Sequence, residues 1–127
     1  MKRASPERAI HVDVLAYMRC VLPAAITHHS AQGLDVSDNG AGNVIARAVA
    51  KAKCMGMVTG FPDLILLHRG RAYGLEIKAE GGRMSLAQKA VQADFAAAGV
   101  PYAVVRSVDD ARDALADWGI ATREVTP

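Results

Sequence analysis

Three charged side chains, Asp63, Glu76 and Lys78, stand inside strongly apolar sequence, in the runs GFPDLILLH and AYGLEIK. Both runs read as strands, and Arg69-Gly70 between them reads as the turn of a hairpin. A two-residue loop there pairs His68 with Arg71, Leu67 with Ala72, Ile65 with Gly74 and Asp63 with Glu76. Opposed residues of an antiparallel pair have Cβ atoms about 4.5–5.5 Å apart. Two carboxylates at that spacing repel unless a proton or a cation lies between them. Strand alternation puts Lys78 on the same face as Glu76. Two oxygen ligands beside one ammonium suit a hard ion such as Mg2+, which keeps several waters and takes its other ligands from substrate phosphates. The lysine can then orient or deprotonate a water, or neutralise charge building on phosphorus. The structural alternative is a buried Glu–Lys pair, or charges at strand ends within reach of water. A bulge at Gly70 would slip the register by one residue and part the carboxylates.

The elements that must position these groups follow from periodicity and caps. Ser5-Pro6-Glu7 starts a helix, with a hydroxyl cap, proline in the first turn and a carboxylate at the positive end of the dipole. Apolar positions Ile10, Val14, Leu15, Met18 and Val21 or Leu22 then recur at helical spacing up to Pro23. AAITHHS reads as a short strand and QGLDVSDNGAGN as a polar loop. VIARAVAKAKC, about Val44 to Cys54, reads as a second helix capped near Gly56, with Arg47 and Lys51 four apart on one face. Beyond the hairpin, Ser85-Leu86-Ala87-Gln88 is a capping box opening a helix that ends at Gly99. PYAVVRS is a further strand, and Ser107 caps a last helix, VDDARDALADW, that ends at Gly119. The order is αβαββαβα. Leu64 to Leu67 is apolar on both faces, which predicts a central strand covered by helices on both sides.

Composition sets the outer bounds. A chain of 127 residues has the size of one domain, 1–127, with enough length for a real core. Hydrophobic residues at 51%, charged at 22% and a net charge of +2 describe an ordinary α/β protein that permits a polyanionic partner without demanding one. Cys20 and Cys54 form no CxxC, and are expected to be reduced core residues. No apolar run reaches membrane-span length and no signal-peptide core follows the basic start. A cytoplasmic protein is expected, in the host cytoplasm if phage-encoded.

Gly60-Phe61-Pro62-Asp63, Glu76-Ile77-Lys78, Ser85 with Gln88, and Val105-Arg106-Ser107 together resemble the VRR-NUC domain, a branch of the PD-(D/E)xK nuclease superfamily, with the pieces in the right order and intervals. The resemblance implies a restriction-endonuclease-like α/β core, a central mixed sheet flanked by helices. It implies that Asp63, Glu76 and the carbonyl of Ile77 hold the metal, Mg2+ with Mn2+ as a substitute, and that Lys78 serves the water. A further acidic ligand from the first helix would be Glu7, with Asp13 as the other possibility. Gln88 would lie near the active centre, and Ser85, Arg106, Arg47, Lys51 and Lys53 would contact DNA; each also has a structural explanation as a cap, a strand end or a solvated face. Asn39-Gly40 resembles a family segment and has the chemistry of a turn. The implied activity is a Mg2+-dependent DNA endonuclease, and the small size resembles stand-alone phage-type members, which dimerise and act on branched DNA such as four-way junctions. Two rivals stand beside it. One is a non-catalytic DNA-binding or assembly module of the same fold. The other is an HNH-type nuclease built on His28 and His29 with Asn39 or Asn43 and His68, residues that span too much of the chain for that compact motif.

Overall fold

The computed structural model describes residues 5–30 and 42–123, and the element order is αβαββαβα. The sheet has four strands in the order β1-β2-β3-β4: β1 (Ile26–His29), β2 (Leu64–His68), β3 (Arg71–Ile77) and β4 (Tyr102–Val105). The first two pairings are antiparallel and β3–β4 is parallel, so the sheet is mixed. The β2–β3 register is the one the two-residue loop requires, with His68 opposite Arg71, Ile65 opposite Gly74 and Leu64 opposite Leu75. No bulge intervenes, because Arg69 and Gly70 both take positive φ, 50° and 77°, as a primed hairpin turn demands.

Alternation then sorts the side chains. Leu64 and Leu66 from β2 and Tyr73, Leu75 and Ile77 from β3 point to one face, where they pack against Val14, Met18, Val21 and Leu22 from helix α1 (Pro6–Val21) and its end, and Ala111 and Leu115 from helix α4 (Val108–Asp117). Glu76 and Lys78 have the opposite parity and point to the face bearing helix α3 (Leu86–Ala97). On that side Phe95 lies against Gly74, where an added Cβ would come within 2.7 Å of the Phe95 ring, and forms edge contacts with Phe61 at 5.4 Å and Tyr102 at 5.5 Å. The helix α2 (Gly42–Cys54) ends at Gly56, φ 103°, where Met57 N–H bonds back to the Ala52 carbonyl.

Two sequence expectations are corrected here. Among the described residues β2 is not covered by helices on both sides: Leu67 is 43% exposed and its partner Ile26 63% exposed, because α3 meets the sheet at β4 and, through Gln88 and Phe95, at β3. Cys20 and Cys54 are both exposed rather than core residues. Cys20 falls off the Val14–Met18–Val21 stripe by which α1 meets the sheet.

Candidate active site

Asp63 is the residue before β2, and its side chain reaches across to the neighbouring strand, where Oδ2 accepts a 2.8 Å hydrogen bond from Ile77 N–H. This bond pins the end of the hairpin and sets Asp63 beside Glu76. Glu76 is 2% exposed. Its Oε1 accepts from Gln88 Nε2 at 2.9 Å, while Oε2 is buried with no other donor on it among the described residues, and the Glu76 carboxyl, once protonated, hydrogen-bonds Asp63. Burial pushes the Glu76 carboxyl up to about 8, and the adjacent negative charge of Asp63 and a hydrogen bond to it add to the rise; Lys78 opposes it and Glu7 reinforces it. Ionising both carboxyls near neutral pH is therefore opposed unless a cation takes the place of the proton they share.

Lys78 is 8% exposed at the end of β3, with its backbone N–H on the Val105 carbonyl at 3.0 Å. No ion pair joins Lys78 to a carboxylate among the described residues. The reading of a plain buried Glu–Lys bridge thus fails on geometry, and the ammonium is left able to donate to something else.

Gln88 closes the capping box read from the sequence and also reaches Glu76. Its Oε1 accepts from Ser85 N–H at 2.8 Å, and its backbone N–H donates to Ser85 Oγ at 3.1 Å, closing the capping box of α3. With the amide oxygen fixed in the cap, Nε2 has one direction left, toward Glu76. The close approach of α3 depends on Gly60, whose φ is 84° and whose Cβ, if present, would lie 2.5 Å from the Ala87 carbonyl carbon and 2.7 Å from Gln88 N. The glycine of the GFPD run lets the chain slip under the first turn of α3 on its way to Asp63.

An open cleft of about 450 Å³ runs beside Asp63 and Ile77, and Glu7, Arg8, His11 and His29 line its far wall. α1 supplies that wall because Ser5 accepts from Arg8 N–H at 3.1 Å and starts the helix one residue before Pro6. Glu7 faces the cleft; Asp13, six residues further along the helix, is exposed and does not line it. His29 and His28 are successive strand residues and point to opposite faces, so they build no joint site; His29 Nδ1 lies 3.1 Å from the Asp63 carbonyl, and His68 is at the far end of β2. Asn39 and Gly40 lie outside the described residues, as does the side chain of Asn43.

The residues expected to contact DNA are scattered. Arg47, Lys51 and Lys53 are exposed on α2 and none lines this cleft. Ser85 caps α3 through its Oγ and is exposed. Arg106 is half-buried, and its Nη1 donates to the Ala79 carbonyl at 2.6 Å, tying the end of β4 to the segment that follows Lys78. Ser107 caps α4 by accepting from Asp110 N–H.

Two residues at the site escaped the sequence reading. His11 is packed edge-on against His29, centroids 4.6 Å apart, and burial holds its imidazole below the usual range, His29 adding to the effect and Asp63 opposing it. Its four-residue spacing from Glu7 was the available signal. Tyr102 lies opposite Gly74 with its hydroxyl buried and unpartnered among the described residues, and burial with the nearby Glu76 and Asp63 charges raises its pKa. Nothing in PYAVVRS marks that tyrosine out from ordinary strand sequence.

Among the described residues, no three or more His, Cys, Asp or Glu side chains form a ready-made metal cage. The arrangement does fit a hard ion that brings its own waters: two adjacent carboxylates, one of them buried and opposed to ionising beside the other, next to an open cleft.

The family model for the VRR-NUC domain matches residues 5–109. A solved structure described as a "VRR_NUC domain protein" superposes with a TM-score of 0.66 over 92% of this chain and 90% of that chain, at 19% identity, a likeness of fold. No curated protein matches.

Proposed function

The chain belongs to the VRR-NUC domain family, a nuclease domain family, and on that premise we propose that it is a metal-dependent DNA endonuclease that hydrolyses phosphodiester bonds. One observation carries the reading: a carboxyl buried beside a second carboxyl, with one oxygen held by Gln88 and no donor but a shared proton to reconcile the pair. Burying such a pair is costly unless the site uses it.

Asp63, Glu76, the Ile77 carbonyl and Glu7 would hold a Mg2+ or Mn2+ ion, with the Ile77 carbonyl and Glu7 the less constrained members. When bound, such an ion neutralises the carboxylates, activates a water and draws negative charge from a phosphate. The chain's own groups do the rest. Gln88 holds the Glu76 carboxylate in one orientation, so that no rearrangement is needed when substrate arrives. Lys78, on the Glu76 face and without a carboxylate partner, donates to the attacking water or takes its proton, and compensates charge on the phosphoryl oxygens. Glu7, Arg8 and His11 form the wall against which the DNA strand lies.

Selectivity for branched DNA and action as a homodimer are the finer part of the proposal and rest on the family resemblance; two sites related by a two-fold axis would cut both strands. The test is a panel of flaps, forks, four-way junctions and plain duplex, with and without Mg2+, for the wild type and Glu76→Gln. Cleavage that needs the metal and vanishes in the variant supports the assignment. DNA binding with no metal-dependent cleavage of any substrate would instead favour the non-catalytic module.

A further inference from the structure

The turn joining β2 to β3 lies at the end of the hairpin away from Asp63, and its first residue, Arg69, is six residues along the chain from it and so about 20 Å distant. Its first position strongly favours Asn, Asp or Gly, because the backbone there is left-handed. Arg69, at φ 50°, is the one non-glycine residue with positive φ among the described residues. The sequence keeps a long cation where a smaller residue would hold the turn at lower cost.

Two clefts meet at this tip. One, of about 260 Å³, includes His68, Arg69, Arg71, Tyr73 and Trp118 in its wall; the other, of about 410 Å³ on the opposite face of the hairpin, shares His68, Arg69 and Arg71. Among the described residues, neither wall contains an acidic one. Arg69 and Arg71 are exposed, and among the described residues neither guanidinium has an ion-pair or side-chain hydrogen-bond partner. Tyr73 and Trp118 stack at 4.9 Å and 29°, which makes one wall rigid. Unpaired guanidinium forks on a stiff support match the oxygens of a phosphodiester.

We propose that Arg69 and Arg71, with His68, form a second DNA contact that grips the phosphate backbone away from the catalytic carboxylates. The separation is about half a turn of duplex, so one DNA arm can engage both places. This inference rests on the nuclease reading for the identity of its ligand, but is measured by binding rather than by cleavage.

Binding of a fluorescein-labelled duplex and of a four-way junction is followed by anisotropy with metal chelated, as a function of salt, for the full chain and two variants. Arg69→Asn improves the turn while removing the cation. It is expected to raise the melting temperature by about 2–4 °C and yet weaken DNA binding about five- to tenfold, with the slope of log affinity against log salt reduced by about one. Arg71→Gln, in ordinary strand geometry, should weaken binding and reduce the slope in the same way. In Mg2+ both should raise KM for DNA and leave kcat at saturation near that of the wild type. Unchanged affinity and salt slope in both variants would overturn the proposal and leave the tip a solvated turn. Failure of Glu76→Gln to abolish cleavage would overturn the catalytic assignment instead, and the two results are separable.

Discussion

Glu76→Gln is a stability experiment as well as a catalytic one. With its pKa raised from 4.5 to about 8 in the folded chain, Glu76 binds a proton in the native state over a range where the unfolded chain has released it. The resulting stability is fully present below about pH 4.5 and is lost as pH rises through about 8, at up to about 1.4 kcal/mol per pH unit. At pH 7 the gap is roughly 2.5 units, so the ionisable side chain costs the apo protein roughly 3 kcal/mol relative to a permanently neutral one. Glutamine is that neutral analogue: it keeps the volume, its oxygen can accept from Gln88 Nε2, and its amide can donate toward Asp63. Urea unfolding of the metal-free proteins from pH 5 to 8.5 should show the variant gaining on the wild type, by under ~1 kcal/mol at pH 5 and by roughly 3 kcal/mol at pH 7. Mg2+ should then stabilise the wild type more at pH 8 than at pH 6, because the ion displaces the proton, and should have little effect on the variant. Parallel stability curves for the two proteins across this range would refute the reasoning, since Glu76 would then titrate as an ordinary exposed carboxyl.

Other substitutions probe the supports of the site. Gln88→Met removes the donor to Glu76 Oε1 and should lower kcat about 10- to 100-fold, with Mn2+ affinity measured by calorimetry falling alongside. Ser85→Ala should cost about 1 kcal/mol, because it removes the Oγ that accepts from Gln88 N–H, and should leave kcat near that of the wild type, because the backbone N–H that holds Gln88 Oε1 stays in place; a large fall in kcat would show that the cap itself orients the site. Gly74→Ala drives a methyl into the Phe95 ring and should destabilise by about 1–3 kcal/mol in denaturant melts. Gly60→Ala meets backbone rather than a movable side chain, so it should displace the start of α3 and reduce kcat beyond what its lower stability explains.

The order of elements, the caps at Ser5, Ser85 and Ser107, and the hairpin register were all local matters. Each depends on residues within a few positions of one another: a hydroxyl three residues before a free N–H, or a two-residue loop whose length fixes which side chains oppose. From that register the meeting of Asp63, Glu76 and Lys78 on one face followed by counting. What counting could not supply was the environment. Whether Glu76 pairs with Lys78 or with Gln88 and Asp63 depends on where α3 settles, and that is decided by the space left at Gly60 and Gly74. The exposure of Leu67 and Ile26, where helices on both faces were expected, reflects how far α3 extends across the sheet. His11 and Tyr102 joined the site through contacts 18 and 26 residues from their nearest partners in it along the chain, His29 and Glu76. Periodicity reports which way a side chain points relative to its own element; only the packing of elements against each other sets what it meets there and how much water remains to solvate a charge.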